Sequence, residues 1–195
     1  MRPVGRVAEL GSLGVIKGSG MKRQFLGDSY DAVKRLWQET FSEWAPLFAE
    51  PRFIPEDIRN EFTTFTRIPV LKEYRPSAYS IFNDPDTGIR LPDRENQKEG
   101  VTHISLATIV HQLKNPAVRC VVTFDQSYHR REPSFTPTDQ RNAKILWLRR
   151  QRLHAFYYVS HAPFLFAFST QAHMKEALER LLRVGIPESR IGVPE

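Results

Sequence analysis

The stretch AYSIFNDPDTG, residues 78–88, places a short apolar run directly before a turn rich in carboxylates. Residues 78–83 predict a buried strand that ends at Asp84, because short apolar runs bounded by turn residues are typical of strands inside a sheet. Asp84 and Asp86 also have a plain structural explanation, since Asp-Pro, Pro-Asp and Thr-Gly are turn dipeptides. At a strand end, however, a carboxylate can accept a proton, orient water, bind a metal or stabilise a cation.

The segments that follow this strand alternate between helical and strand patterns. They are a helix through Leu106, Ile109 and Leu113, a strand at 118–124 (VRCVVTF), a helix at 139–152, aromatic strands at 154–160 and 164–169, and a last helix that ends before Gly185. Strands that alternate with helices favour a sheet with crossover connections. The sequence therefore predicts an α/β fold, with a mostly parallel sheet flanked by helices.

The N-terminal residues differ from the rest of the chain. Residues 1–20 are rich in glycine and lack a sustained periodicity, so we interpret them as a disordered tail or as an extension upstream of Met21. Residues 21–195 are enough for one domain with its own core. We expect them to form a single α/β catalytic domain.

This domain is predicted to open with a helix that Asp28 or Ser29 caps. Asp31 and Lys34 are three residues apart in it, so we expect them to pair on the helix surface. A second short helix is predicted to begin at Pro55. Its apolar side chains, which we expect to point inward, are Ile58, Phe62 and Phe65.

Polar residues follow three of the predicted strands. They lie at residues 84–88, at residues 125–131 and at Ser160 with His161. Ligands of open α/β sheets bind beyond the carboxyl ends of the strands, so we expect one site there. Asp84, Asp86 and His161 are the predicted catalytic residues. The predicted substrate-binding residues after the middle strand are Tyr128, His129 and Arg130.

The charge of the chain favours a polyanionic partner. Its 28 Lys and Arg against 22 Asp and Glu give a net charge of +6 in 195 residues. Nucleic acid is the commonest such partner, and we favour DNA over RNA. Arg149 and Arg150, in the basic helix around Trp147, are predicted to contact phosphates. The alternative is a solvated basic helix with Trp147 in the core.

Other classes of protein are disfavoured. Cys120 is the only cysteine, so the chain forms no internal disulfide, and we expect it to be a small core residue. No apolar segment approaches the roughly 20 residues that span a bilayer, which predicts a cytoplasmic protein without a membrane partner. The dinucleotide and P-loop glycine motifs are absent, as are HExxH and GxSxG. We therefore predict no cofactor and no metal, and the oligomeric state stays open.

Two short motifs resemble known families. GDSYDAVKR resembles the G-N-x-A-D-V-L-K-H signature of bacterial ribosomal-RNA adenine methyltransferases, and Asp84-Pro85 resembles the start of their D-P-P-Y motif. Uncharacterised bacterial proteins with K-x-Q-Y-F-G-D-x-x-D-Y-x-K and F-D-P-D-N-G are more similar, over residues 21–183. This resemblance implies a fold like that of class I methyltransferases. The substrate-binding residues that it implies are Lys22, Gln24, Asp28, Asp31 and Lys34.

The chain departs from the methyltransferase pattern in ways that suit a second resemblance. Thr87 replaces the Tyr of D-P-P-Y, and the glycine-rich loop that cradles S-adenosylmethionine has no counterpart. Uracil-DNA-glycosylase-like enzymes have a D-P motif after an early strand and an H-P-S-type motif later, in the same order as Asp84-Pro85 and residues 160–163. That resemblance implies that Asp84 or Asp86 positions water or stabilises the sugar cation, that His161 stabilises the departing base, and that Phe82 or Tyr128 stacks on it.

The expected function is therefore a cofactor-independent hydrolase that acts on nucleic acid. Its preferred form is a DNA glycosylase that excises a modified base. An S-adenosylmethionine-dependent methyltransferase is one alternative, and a magnesium-dependent nuclease with Asp28, Asp84 and Asp86 as ligands is another. The alternative without catalysis is a nucleic-acid-binding module.

Overall fold

A computed structural model describes residues 23–72, 76–92, 100–127 and 135–193. Six of its strands form one sheet, in the order β1-β2-β5-β7-β6-β8. These strands are β1 (Leu47–Ala49), β2 (Tyr79–Asn83), β5 (Val118–Phe124), β6 (His154–Tyr158), β7 (Phe164–Phe168) and β8 (Ile191–Gly192). A small parallel pair consists of β3 (Gly88–Ile89) and β4 (His103–Ile104).

Four of the six sheet strands run in one direction. β1, β2 and β5 are parallel neighbours. β7 lies antiparallel between β5 and β6, which gives β6 the direction of β5, and β8 is antiparallel to β6. The prediction of a mostly parallel α/β sheet is confirmed, although the two strands that run against the others were not anticipated.

In the described ranges, five α-helices flank the sheet: α1 (Ser29–Phe41), α2 (Arg59–Thr66), α3 (Leu106–Leu113), α4 (Pro137–Arg150) and α5 (Gln171–Arg183). Each was predicted to within a few residues. The short helix after Pro55 is a 3₁₀ turn that continues as α2. Ile58 and Phe62 are buried as expected, but Phe65 is 44% exposed, so its predicted inward orientation is wrong.

Helix α1 is held at its start and along one face. Asp28 is the N-cap, and its Oδ1 accepts from the backbone N–H groups of Tyr30 and Asp31. Trp37 is fully buried and meets Phe164 and Phe166 of β7 edge-to-face, with ring centroids 5.9 and 5.4 Å apart. Such aromatic pairs add to the free energy of burial. They fix α1 across the sheet and so place its first turn at the sheet's edge.

Strand β2 is buried along its whole length. A strand covered on both faces is an almost continuous apolar run, which is the pattern of residues 79–82. Phe82 is fully buried and packs against Phe62 and Phe164. The expectation that Phe82 stacks on a flipped base is therefore wrong, because its ring belongs to the core.

Candidate functional site

The polar ends of three strands meet at one edge of the sheet. β2, β5 and β6 share a direction, so their carboxyl ends lie together, as the sequence predicted. Gln126, in the turn after β5, forms hydrogen bonds to the turn after β2 and to the turn after β6. Its backbone N–H donates to the carbonyl oxygen of Thr87 (2.9 Å), and its Nε2 donates to that of His161 (3.0 Å). The three turns are thus coupled by hydrogen bonds.

Helix α1 adds a buried lysine to this edge. Lys34 Nζ donates to Asp84 Oδ2 at 2.7 Å and to Asp31 Oδ1 at 3.0 Å. The exposed fractions of Asp31, Lys34 and Asp84 are 2%, 4% and 5%. We call these three residues the cavity cluster. Pairing of Asp31 with Lys34 is confirmed, but its expected place on the helix surface is wrong, because the end of β2 covers this turn of α1.

Burial and the neighbouring charges both shift the pKa values of Lys34 and Asp84. Burial alone would lower the pKa of Lys34, but the attraction of Asp84 and Asp31 outweighs it and the pKa is raised. Burial raises the pKa of Asp84, against the opposing effect of Lys34, and the charges of Asp31 and Asp28 raise it further. Asp84 is therefore a stronger proton acceptor than an ordinary aspartate.

A cavity of about 510 Å³ opens over this cluster. This lies within the size range of small-molecule sites. Its apolar wall consists mainly of the aromatic rings of Phe25, Tyr30 and Phe124. Its polar lining consists of Asp28, Lys34, Asp84, Asp86, Thr87, Thr102 and Gln126. The cavity therefore combines flat apolar surfaces with several carboxylates.

The orientation of the Gln126 amide is fixed by its neighbours. Nε2 donates to Tyr30 Oη at 2.7 Å as well as to the carbonyl oxygen of His161. Because a backbone carbonyl can only accept, the NH₂ group must be the end that faces His161. Both amide hydrogens are then used, and Oε1 of Gln126 is left as an acceptor at the cavity.

A second buried lysine lies behind this edge, outside the cavity lining. Lys144 Nζ donates to Asp125 Oδ2 at 2.6 Å, and the Tyr157 hydroxyl donates to the same oxygen at 2.6 Å. Ser127 and the N–H of Ile89 also bind this carboxylate. We call Asp125, Lys144 and Tyr157 the sealed cluster. Lys144 belongs to the helix that was predicted to be basic around Trp147, but it is only 1% exposed and its charge is paired with Asp125.

Gly88 permits the close packing around the sealed cluster. Its φ is +138°, and an added Cβ would lie 2.3 Å from Asp125 Oδ1 and 2.7 Å from Asp125 Cα. No side chain fits there, so the turn after Asp84 can lie directly on the end of β5.

The predicted site residues differ in their position relative to the cavity. Asp28, Lys34, Asp84 and Asp86 line the cavity, and Asp31 lies behind Lys34. His161 is exposed and contacts the Tyr30 ring, with centroids 5.5 Å apart.

Gln24 is exposed in the 3₁₀ turn that contributes Phe25 to the cavity. Arg149 and Arg150 are exposed at the end of α4, shortly before the start of β6. That end of the sheet is opposite to the cavity, so the fold does not bring them to the site. Lys22, Tyr128, His129 and Arg130 lie outside the described residues.

The sequence did not single out Tyr30, Phe124, Gln126, Thr87 and Thr102 as site residues. Tyr30 and Gln126 lie inside segments that were recognised as candidate motifs, and their position in those motifs was the signal available. Phe124 looked like the last core residue of a strand, yet it forms a wall of the cavity.

Neither a metal site nor a membrane span is evident in the described ranges. Within them, no group of three or more His, Cys, Asp and Glu side chains is arranged to hold a metal ion. No helix of the described part is both long and apolar enough to cross a bilayer. Comparison of the chain with protein-family models, curated proteins and solved structures found no match.

Proposed function

We propose that the protein is a cofactor-independent hydrolase that excises a base from nucleic acid, most readily from DNA. The observation that carries this proposal is the cavity at the carboxyl edge of the sheet. Its walls are aromatic, and its floor is formed by Asp28, Lys34 and Asp84, with Asp31 behind Lys34. A nucleobase needs this combination, since its faces stack on rings and its edges form hydrogen bonds. The net charge of +6 supplies the attraction for the phosphate backbone.

In this reaction, water adds to C1′ of the sugar while the N-glycosidic bond breaks. The bonding electrons leave with the base, and one proton of the water goes to a carboxylate. Asp84 suits the role of proton acceptor because burial raises its pKa towards the working range of a general base. Asp86 is exposed at the same cavity and suits stabilisation of the positive charge that develops on the sugar.

His161 has a supporting role in the proposal. Its ring meets Tyr30, a residue of the cavity wall, at 5.5 Å between centroids. From the exposed turn between β6 and β7, an imidazole can move towards a bound base and donate a hydrogen bond to it as it departs. Tyr30 and Phe124 provide the rings for stacking in place of Phe82.

The test is an incubation of the full chain with DNA duplexes that contain single modified or unmodified bases. EDTA is present, no cofactor is added, and mass spectrometry measures free bases and abasic sites. We expect a free base from the wild-type protein, and loss of at least about 100-fold in rate for Asp84→Asn, as for removal of a general base. Glu179→Gln removes one negative charge on α5, away from the cavity, and serves as the matched control.

Three results would count against base excision. The absence of a free base from every duplex would overturn it. Strand breaks that disappear with EDTA would instead indicate a metal-dependent nuclease. Salt-dependent DNA binding that is unchanged in Asp84→Asn, without any product, would indicate a binding module.

Methyl transfer is the second candidate, and one contact favours it. Lys34 and Asp84 belong to the two motifs that resemble the methyltransferase signatures, and their side chains are 2.7 Å apart. Saturable binding of S-adenosylmethionine by calorimetry, with methylated nucleic acid as product, would support this candidate over base excision. Absence of S-adenosylmethionine binding would exclude methyl transfer.

A further inference from the structure

We infer that the base accepted by the cavity carries a positive charge, as purines alkylated on a ring nitrogen do. The inference rests on the proposed base-excision function and names its class of substrate. It follows from the hydrogen-bonding groups, the charges and the rings that face the cavity.

The first step is the balance of donors and acceptors. Gln126 presents only Oε1, because His161 and Tyr30 take both hydrogens of its amide. Among the described residues, Asp84 is hydrogen-bonded only by Lys34, which uses Oδ2 and leaves Oδ1 to the occupant of the cavity. Asp84 is 5% exposed, so the little surface that it has lies at the cavity. The hydroxyl groups of Tyr30, Thr87 and Thr102 in the lining can donate as well as accept, whereas the oxygens of Asp84 and Gln126 only accept, so an occupant with donors or a positive charge matches the two of them.

The second step is the balance of charge. Asp28, Asp31 and Asp84 lie at or directly behind the cavity floor, and Lys34 is the only cation among its described lining residues. Lys34 is already held between two carboxylates. The N-terminus of α1 offsets part of the charge of Asp28, but it contributes only about half an elementary charge. The floor is therefore negative in a protein that is basic overall, and it repels a phosphate.

The third step concerns the walls. Tyr30 and Phe124 meet edge-to-face, with centroids 5.7 Å apart and an angle of 87° between their planes. Aromatic faces carry partial negative charge and attract cations. A flat cationic base can thus stack on a ring while its positive charge faces the carboxylates, whereas carbonyl-rich uracil would bring lone pairs against them.

Cleavage of the glycosidic bond is also easier to explain for a base that carries a positive charge. When the glycosidic bond of a cationic base breaks, the electron pair neutralises the ring and the base leaves as a neutral molecule. No proton has to be delivered to it. This suits a site in which His161 is exposed and the buried groups of the cavity floor are carboxylates and a lysine.

Binding of two nucleosides that differ in the position of one methyl group and in charge tests the inference apart from catalysis, with the full chain as the protein. 1-Methyl-2′-deoxyadenosine is protonated at neutral pH and is a cation, whereas N6-methyl-2′-deoxyadenosine has its methyl group on the exocyclic nitrogen and is neutral. By calorimetry, we expect the cation to bind at least about tenfold more tightly, as for one charge interaction of ordinary strength. Asp28→Asn, which keeps a good N-cap, should reduce that preference, and Glu179→Gln should not.

Excision provides the second arm, with duplexes that contain 7-methylguanine, uracil or unmodified bases. Release of 7-methylguanine together with preference for the cationic nucleoside supports both proposals. Release of uracil with equal binding of the two nucleosides keeps base excision and overturns the inference. Preference for the cation without release of any base keeps the inference about the cavity and overturns the reaction. Equal binding without release overturns both.

Discussion

The two buried lysines among the described residues pair with carboxylates that follow the neighbouring strands β2 and β5, but their electrostatic settings differ. Lys34 is shared by two carboxylates and faces the cavity, whereas Lys144 pairs with the single carboxylate of Asp125 and lies outside the cavity lining. The pKa of Lys34 is raised because its two partners outweigh burial, and the pKa of Lys144 is lowered because burial outweighs its one partner. The positive charge of Arg141 lowers the pKa of Lys144 further, so the direction of each shift follows from the balance between burial and all the neighbouring charges.

The carboxylates of the two clusters differ in the number of hydrogen bonds that they accept, and here the sealed cluster has more. Asp125 accepts hydrogen bonds from Lys144, Tyr157, Ser127 and Ile89, so its charge is well solvated by the protein. Asp84 has Lys34 as its only hydrogen-bonding partner among the described residues. The sealed cluster thus resembles a structural clamp, and the cavity cluster keeps an oxygen for a ligand. A carboxylate whose oxygens all accept hydrogen bonds, such as Asp125, indicates a role in stability. A buried carboxylate with one oxygen unused, such as Asp84, indicates a role in binding or catalysis.

The largest effect is expected for Lys34→Met. This variant leaves Asp31 and Asp84 buried against each other without a cation, and breaking a buried ion pair costs about 3–5 kcal/mol. We expect the upper end of that range in the free energy of unfolding, measured with urea at pH 7. Acidification should recover part of the loss, because protonation of one carboxylate removes the repulsion. A loss below about 1 kcal/mol would show that the cluster is hydrated in solution.

A smaller loss is expected for Lys144→Met, at about 3 kcal/mol, the lower end of the same range. Asp125 keeps its hydrogen bonds from Tyr157, Ser127 and Ile89, which continue to stabilise its charge. The same urea measurement provides the comparison. If Lys144→Met is the more destabilising of the two variants, hydrogen bonds to Asp125 do not replace the lysine and the contrast between the clusters is wrong.

For Asp84→Asn, we expect a loss of only about 1 kcal/mol, since Lys34 retains Asp31 and the amide oxygen can still accept. Base release should nevertheless fall at least about 100-fold, because an amide cannot take a proton from water. The unfolding free energy and the rate are measured on the same preparation. Equal fractional losses of stability and activity would indicate that Asp84 acts only through the fold.

The smallest effect is a difference in pH dependence. A raised pKa means that Lys34 contributes stability below its ordinary value of 10.5 and loses it as the pH rises through the higher folded value. For Lys144 the folded pKa is the lower one, so the unfolded chain binds more protons in the window below 10.5 and stability rises with pH there.

Unfolding free energies of the wild type and both methionine variants between pH 8 and pH 11.5 would detect this difference. The advantage of the wild type over Lys34→Met should be constant and then shrink above 10.5, while its advantage over Lys144→Met should grow and then level off. Identical profiles for the two variants would contradict the assigned signs.

Much of the edge of the sheet was predictable, because local rules govern it. Apolar runs predicted β2 and β5, and the rule that ligands bind beyond parallel strand ends placed Asp84 and His161 on one edge. Spacing predicted that Asp31 pairs with Lys34. None of these rules anticipated that Asp84, 50 residues away, would complete the cluster, since that contact depends on how α1 docks across the sheet.

Other features had no local signal. The aromatic runs of β6 and β7 contain nothing that encodes strand direction, so the antiparallel insertion of β7 could not be predicted. Lys144 lies in a helix that is basic on several sides, and only the position of Asp125 distinguishes it from the exposed arginines. β1 was missed because it has three residues between prolines, too few for a recognisable period.

The packing of Trp37 has a consequence for the order of events during synthesis on the ribosome. Helix α1 is the first α-helix of the described chain to emerge, yet its indole is covered by Phe164 and Phe166, which are made more than 120 residues later. Until β7 leaves the ribosome, α1 can pack against α2, but the indole of Trp37 lacks these two rings of its final environment. The first α-helix to be made therefore completes its packing only near the end of synthesis, and a nascent chain that stops before residue 164 leaves one side of Trp37 uncovered.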